Sequence, residues 1–298
     1  MNFSNGKLVD LLISSNICRY TEFRAVDKVL TMLNDKLSVV PCSRSDVFNS
    51  KNVNVVEKRL LMKFLTSCME YDKKKEEEKH EFSDFPEDGI FLDLLKQQKL
   101  TATLIHYIHN AMCMGNSETS FKDGLEKVKG FLASIGRYGN TPFLFPMYGC
   151  GEIPQCFCRL CAVFGGVYCL GRTITDVKVE EATENSEKLV TFNCGTQKIT
   201  TKKFVYGLGS NVLTNELSYE FLSRGIFITT SPIGGSTVNS DTDGGGVVLM
   251  NLPPTEGSMG AILIQLSHFS GCVPKGLCKK DQMFLKDFVL NYRFYFQI

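Results

Sequence analysis

The stretch YGCGEIPQCFCRLCAVFGG, residues 148–166, sets four cysteines and four glycines around a Glu, a Gln and an Arg. Three chemistries compete for it: a metal centre, a thiol redox site, or a rigid surface that holds another molecule. Pro154 stands where the first turn of a helix accepts it. Residues 155–164 then have helical periodicity, with Phe157, Leu160, Cys161 and Phe164 on one face. On a helix Cys156 and Cys158 point about 200° apart, so they cannot chelate one ion together. Structural zinc asks four ligands to converge in a tetrahedron, and helical geometry disfavours that here, as it disfavours redox pairing of these thiols. No metal ligand and no catalytic residue is assigned.

Glu152, Gln155 and Arg159 are spaced three and then four apart, which aligns them in one stripe of the same helix, expected opposite its apolar face. Spacing alone leaves two readings open. One is a solvated stripe whose internal contacts contribute a few tenths of a kcal/mol, on the order of 0.3. The other is a polar row on a short helix pinned by glycine turns at both ends, with carboxylate acceptors and a five-donor guanidinium fork ready to grip a second protein.

The rest of the chain narrows the classes. With 298 residues and 43% apolar content it can bury a sizeable core. Lys and Arg number 33 against 32 acidic residues, so there is no global basic field of the kind a general nucleic-acid binder carries. The opening MNFSNGKLVD lacks a secretory pattern and no run approaches the roughly 20 apolar residues of a membrane span, so a cytosolic protein is expected. Its twelve cysteines are then expected to be reduced, with Cys68, Cys156, Cys161 and Cys169, all inside apolar runs, buried.

Residues 6–16 read as a short apolar helix or strand, and Asn34-Asp35 as a hairpin turn, with helix the competing reading for 25–33. Ser50 or Asn54 can cap a helix whose apolar face takes in Val56, Leu60, Leu61, Phe64, Leu65, Cys68 and Met69. A charged connection follows at 72–86, then three more helical segments, the last capped by Ser117 or Thr119 and ending near Gly136. His106 and His109 lie three apart in LIHYIH without a nearby carboxylate and read as helix residues, not ligands. Beyond a boundary at 136–142 the texture changes to short β-branched strands and polar turns. The glycine-rich run 231–246 lacks the Lys-Ser or Lys-Thr ending of a phosphate loop and reads as a mobile turn, and GLGSN at 207–211 holds only half of a dinucleotide fingerprint.

The combination Y-G-x-G-E-x-P-Q-x-F-x-R-L with a following G-G-x-Y, inside residues 140–170, closely resembles the Rab escort protein and Rab GDP dissociation inhibitor family. CRYTEFRAV at 18–26, PCSRSDVFNS at 41–50, VEKRLLMKFLTSCMEY at 56–71 and GRYGNTPFLFP at 136–146 are more similar to the escort branch. The resemblance implies that Glu152, Gln155 and Arg159 bind Rab, and that Phe48 and Arg59 dock the α-subunit of the Rab geranylgeranyl transferase α/β heterodimer.

The same resemblance implies a non-catalytic accessory component. It would present GDP-bound Rab to the transferase, shield the geranylgeranyl lipid, touch membranes only indirectly, and use neither cofactor nor nucleic acid. The implied fold is α/β plus all-α: an incomplete flavin-monooxygenase-like (FAD/NAD(P)-binding-like) domain with a helical domain. The expected division is 4–135 for the helical, prenyl-accommodating part with its flanking strands, 137–270 for the partial large domain, and 271–298 for a divergent tail. A dissociation inhibitor that extracts Rab from membranes, and a flavin or nicotinamide oxidoreductase, are the alternatives.

Overall fold

Asn34 and Asp35 both adopt left-handed backbone, φ 50° and 59°, as a two-residue hairpin turn demands. In the computed structural model they join two strands of a six-stranded sheet, and helix is excluded for 28–33. The structure describes residues 1–50, 52–74, 81–82, 84–180, 189–207, 223–233, 246–254 and 260–284. Most of the run 231–246, most of GLGSN and part of the charged connection at 72–86 lie outside the described residues.

The chain opens with β1 (Asn2–Phe3) and α1 (Lys7–Ser14), then a single 3₁₀ turn (Ile17–Arg19) leads into β2 (Phe23–Ala25). The hairpin is β3 (Lys28–Leu33) and β4 (Lys36–Val39). Next comes α2 (Arg44–Asn49), started by a capping box in which Ser43 and Asp46 satisfy each other's backbone N–H. A second reciprocal pair, Asn54 with Glu57 at 2.9 Å in both directions, starts α3 (Val55–Lys74), so of the two expected caps Asn54 is the one used. Helices α4 (Phe91–Gln97), α5 (Ala102–Ile105) and α6 (Phe121–Ser134) complete the helical part. The cap of α6 is Ser120, which accepts from the Asp123 N–H. Thr119 is unavailable because its hydroxyl turns back to Asn116.

Strand β5 (Phe143–Pro146) precedes α7 (Glu152–Val163), then come β6 (Ile174–Glu180), β7 (Leu189–Cys194) and β8 (Gln197–Thr201). The last strands are β9 (Ser223–Thr229), β10 (Val248–Leu252), β11 (Ala261–Leu266) and β12 (Cys278–Phe284).

Among the described residues two compact units are distinct. One takes in residues up to Leu160 and those from Ser223 to Phe284; the other runs from Cys161 to Gly207. The first holds a three-stranded sheet ordered β1-β5-β2 and the six-stranded sheet ordered β4-β3-β10-β11-β12-β9. Strands β3 and β10 pair in parallel, Val248 opposite Lys28, so segments from both sides of residues 136–142 share one sheet. The second unit holds the meander β6-β7-β8.

One apolar cluster of the first unit joins the helices to the sheet: Leu61, Phe64, Leu65 and Cys68 of α3, Phe91, Leu94 and Leu95 of α4, Phe121, Leu125, Val128 and Phe131 of α6, with Val29 and Leu249. Two side chains expected on the inner face of α3 are outside it: Val56 is 67% exposed and Met69 44%. Phe91 and α6 approach so closely that a Cβ on Gly124 would sit 2.2 Å from the Phe91 ring.

Residues His106–Met112 continue α5 as a π-helix, a widening that lets polar side chains turn inward. His106 Nε2 lies 2.8 Å from Thr31 Oγ1, Asn110 contacts both His106 Nδ1 at 3.0 Å and His109 Nδ1 at 2.8 Å, and His109 Nε2 lies 3.1 Å from the Asn116 carbonyl. Asn251 of β10 donates to the Asn110 carbonyl. Burial first, and the neighbouring His109 second, push the His106 pKa below its ordinary value. Both imidazoles are therefore engaged in a partly buried network between helix and sheet.

Candidate protein-docking surface

Helix α7 is held at both ends. Before it, Tyr148 takes a left-handed conformation (φ 64°) and donates its N–H to the Ser270 carbonyl at 2.8 Å, while Gly149 at φ 105° lets the chain reverse. Glu152 is the first helical residue, and Pro154, third in the helix, lacks an N–H at a position that has no intrahelical acceptor. After it, Gly166 donates to Cys161 O at 2.9 Å and Gly165, at φ 85°, donates to Ala162 O at 3.0 Å. That pair of bonds is a Schellman cap, which satisfies the last carbonyls. The expectation of a short helix fixed by glycine turns is met.

The buried face is not the one expected. Ile153, Cys156, Phe157 and Leu160 pack with Leu8, Leu12, Ile17 and Phe23, and only Cys156 among the helix residues is fully buried. Cys161 is exposed and Phe164 is 83% exposed, so they lie off the packed stripe. Cys169 is exposed as well, so of the four thiols expected inside only Cys68 and Cys156 are. Cys158 faces outward while Cys156 faces inward, as helical geometry requires.

Glu152 is half-buried, Gln155 and Arg159 are exposed, and the three keep the common stripe their spacing dictates. At about 100° per residue, the stripe centre lies about 120° round the helix from the packed face, beside it and not opposite. The carboxylate of Glu152 sits at the helix N-terminus, where the backbone N–H groups favour negative charge. Among the described residues neither Glu152 nor Arg159 has an ion-pair partner.

Arg159 does have one neighbour that sequence reading missed. Its Cζ lies 5.5 Å from the centre of the Tyr20 ring, within cation–π range. The Tyr20 backbone carbonyl in turn accepts from the Cys156 thiol at 3.2 Å. Burial, then the charge of Glu152, raise the Cys156 pKa against the opposing pull of Arg159, so this thiol stays protonated and able to donate. Tyr20 sits in CRYTEFRAV, a run noted only for its resemblance; nothing in its spacing pointed to α7.

The second pair of expected residues lies on the two capped helices. Phe48 on α2 is 66% exposed and Arg59 on α3 is exposed. Lys58 Nζ donates to the Phe48 carbonyl, linking the end of α2 to the first turns of α3. Val55 and Val56 add exposed apolar surface to that same first turn, a feature lost when Val56 is read as core.

The sequence model of the GDP dissociation inhibitor family matches residues 1–244. The Rab proteins geranylgeranyltransferase component A of Drosophila melanogaster is 47% identical over 277 residues, 92% of this chain and 52% of the fly protein. The component A 2 of Mus musculus is 40% identical over 284 residues, 94% of this chain and 43% of the mouse protein. The chain thus spans about half the length of the curated relatives it matches. The crystal structure of a Rab GDI from Plasmodium falciparum shares the mixed α/β fold, with a TM-score of 0.73 and 19% identity across 96% of this chain and 66% of that one.

Proposed function

Since this chain belongs to the GDP dissociation inhibitor family, we propose that it is an escort-type member: a non-catalytic component that presents GDP-bound Rab to Rab geranylgeranyl transferase and accompanies the prenylated product to membranes. The observation that carries this reading is the row Glu152, Gln155 and Arg159, in which neither charged residue has an ion-pair partner among the described residues, on a helix held by glycine turns at both ends. A fixed carboxylate, amide and guanidinium on one stripe suit recognition of a folded protein surface, where pre-organisation lowers the ordering cost of binding. The names of the fly and mouse relatives support component A over an extraction factor.

Phe48 and Arg59 form the proposed transferase contact, an exposed aromatic and a cation on two tied helices, the residue types that anchor interfaces. The geranylgeranyl chain is proposed to enter between the helices near Leu61, Leu65, Phe91, Leu94, Leu95, Leu104, Ile105 and Phe131. Apart from Ile105 these side chains are buried against one another, so a lipid there must part the helices. The division at 4–135, 137–270 and 271–298, the relation of the larger part to flavin monooxygenases, a cytosolic location and the absence of any cofactor belong to the same proposal. Among the described residues no helix is long and apolar enough to cross a membrane.

Capture of GDP-loaded Rab, alone and with the transferase heterodimer, tests the reading. An escort-type component retains both partners together, whereas Rab capture that excludes the transferase favours the dissociation inhibitor. Flavin absorbance in the purified protein would favour the oxidoreductase.

A further inference from the structure

We infer that Tyr20 is a positioning residue for Arg159, holding its guanidinium over the phenol ring so that the donor fork faces an acidic side chain of the bound protein. This rests on the docking reading of α7 and goes one residue deeper into it. Tyr20 is itself fixed from two sides: it closes the 3₁₀ turn whose Ile17 is fully buried, and its carbonyl accepts the Cys156 thiol at 3.2 Å. Tyr20 is 40% exposed, and its ring centre lies 5.5 Å from Arg159 Cζ.

An aromatic face engages a guanidinium through its π-system and uses none of the five N–H donors. With no ion-pair partner among the described residues, Arg159 keeps its fork for an incoming carboxylate, which it can meet with two parallel bonds. A long side chain that wanders loses rotamer freedom on binding, and a ring beneath it removes part of that cost beforehand. The partner chemistry is therefore a carboxylate on the Rab surface, met by the N–H donors that the Tyr20 ring leaves unused.

The test is a double-mutant cycle read as affinity for GDP-loaded Rab, using the full chain, with thermal melts of every variant. Tyr20→Phe keeps the ring and is expected to bind within twofold of wild type. Tyr20→Leu removes the π-face and is expected to weaken binding about two- to fivefold, the range of an exposed cation–π contact. In an Arg159→Ala background Tyr20→Leu is expected to cost nothing further. A Tyr20→Leu protein that binds like wild type, a Phe variant as weak as Leu, or an equal Leu effect with and without Arg159 each overturns the inference while leaving the docking surface standing. If Arg159→Ala itself binds Rab like wild type, the docking reading falls, and the inference with it.

Discussion

Lys58 Nζ donates to the backbone carbonyl of Phe48 at 2.6 Å, so the side chain of one helix fixes the end of the other that carries the exposed ring. The Phe48 side chain contributes little to folding, because the residue is 66% exposed. Phe48→Ala is expected to change stability by less than about 0.5 kcal/mol. It is also expected to lower transferase affinity on the order of tenfold, as removal of an aromatic anchor does. Rab affinity measured alone should not move. Transferase titrations of wild type and variant check this, and equal affinities would remove Phe48 from the contact.

Two glycines of α6 should respond in opposite directions. Gly130 has nothing within 4 Å of where a Cβ would stand, so Gly130→Ala gains helix propensity and should stabilise by about 0.5–1 kcal/mol. A Cβ on Gly124 would lie 2.2 Å from Phe91 Cγ and 2.7 Å from its Cβ, atoms near the backbone that cannot swing aside. Gly124→Ala should therefore destabilise by about 1–3 kcal/mol despite the same propensity gain. Urea midpoints at an unchanged m-value distinguish the two.

Buried thiols make the fold sensitive to alkali. Burial, then the charge of Asp46, push Cys42 up to about 12, and burial above all raises Cys113 to about 11, from an ordinary 9.0. The folded state thus holds these protons more tightly than the unfolded chain does. Their contribution is complete below pH 9 and is lost as pH rises from there toward 11 for Cys113 and 12 for Cys42, at about 1.4 kcal/mol per pH unit and thiol. Denaturant stability measured across that range should fall, and Cys113→Ala should show a shallower slope than wild type between pH 9 and 11.

Local chemistry made much of this legible in the sequence. Asn34-Asp35 marked its turn, Asn54 was one of two caps the sequence offered for α3, and the glycines around 148–166 marked the ends of α7, whereas the return bond from Glu57 to the Asn54 N–H emerged only in the structure. The packed face of α7 was misplaced because Phe157 and Leu160 fit two overlapping stripes. Only the contacts with Leu12 and Ile17 select the one that includes Ile153 and Cys156 and leaves Cys161 outside. The parallel pairing of Lys28 with Val248 has no local signature, nor have strands as short as Asn2–Phe3. Tyr20 escaped notice for the same reason: its carbonyl meets Cys156, 136 residues away.

The central claim is that the stripe on α7 grips Rab, and a titration of GDP-loaded Rab against wild type, Glu152→Ala and Arg159→Ala tests it most directly. Both positions lack ion-pair partners among the described residues, so melting temperatures should stay close to wild type. The account predicts that Arg159→Ala weakens binding by at least tenfold, with a smaller loss for Glu152→Ala and a larger loss at low salt than at high salt. Wild-type affinity in both variants, with the fold intact, would contradict it.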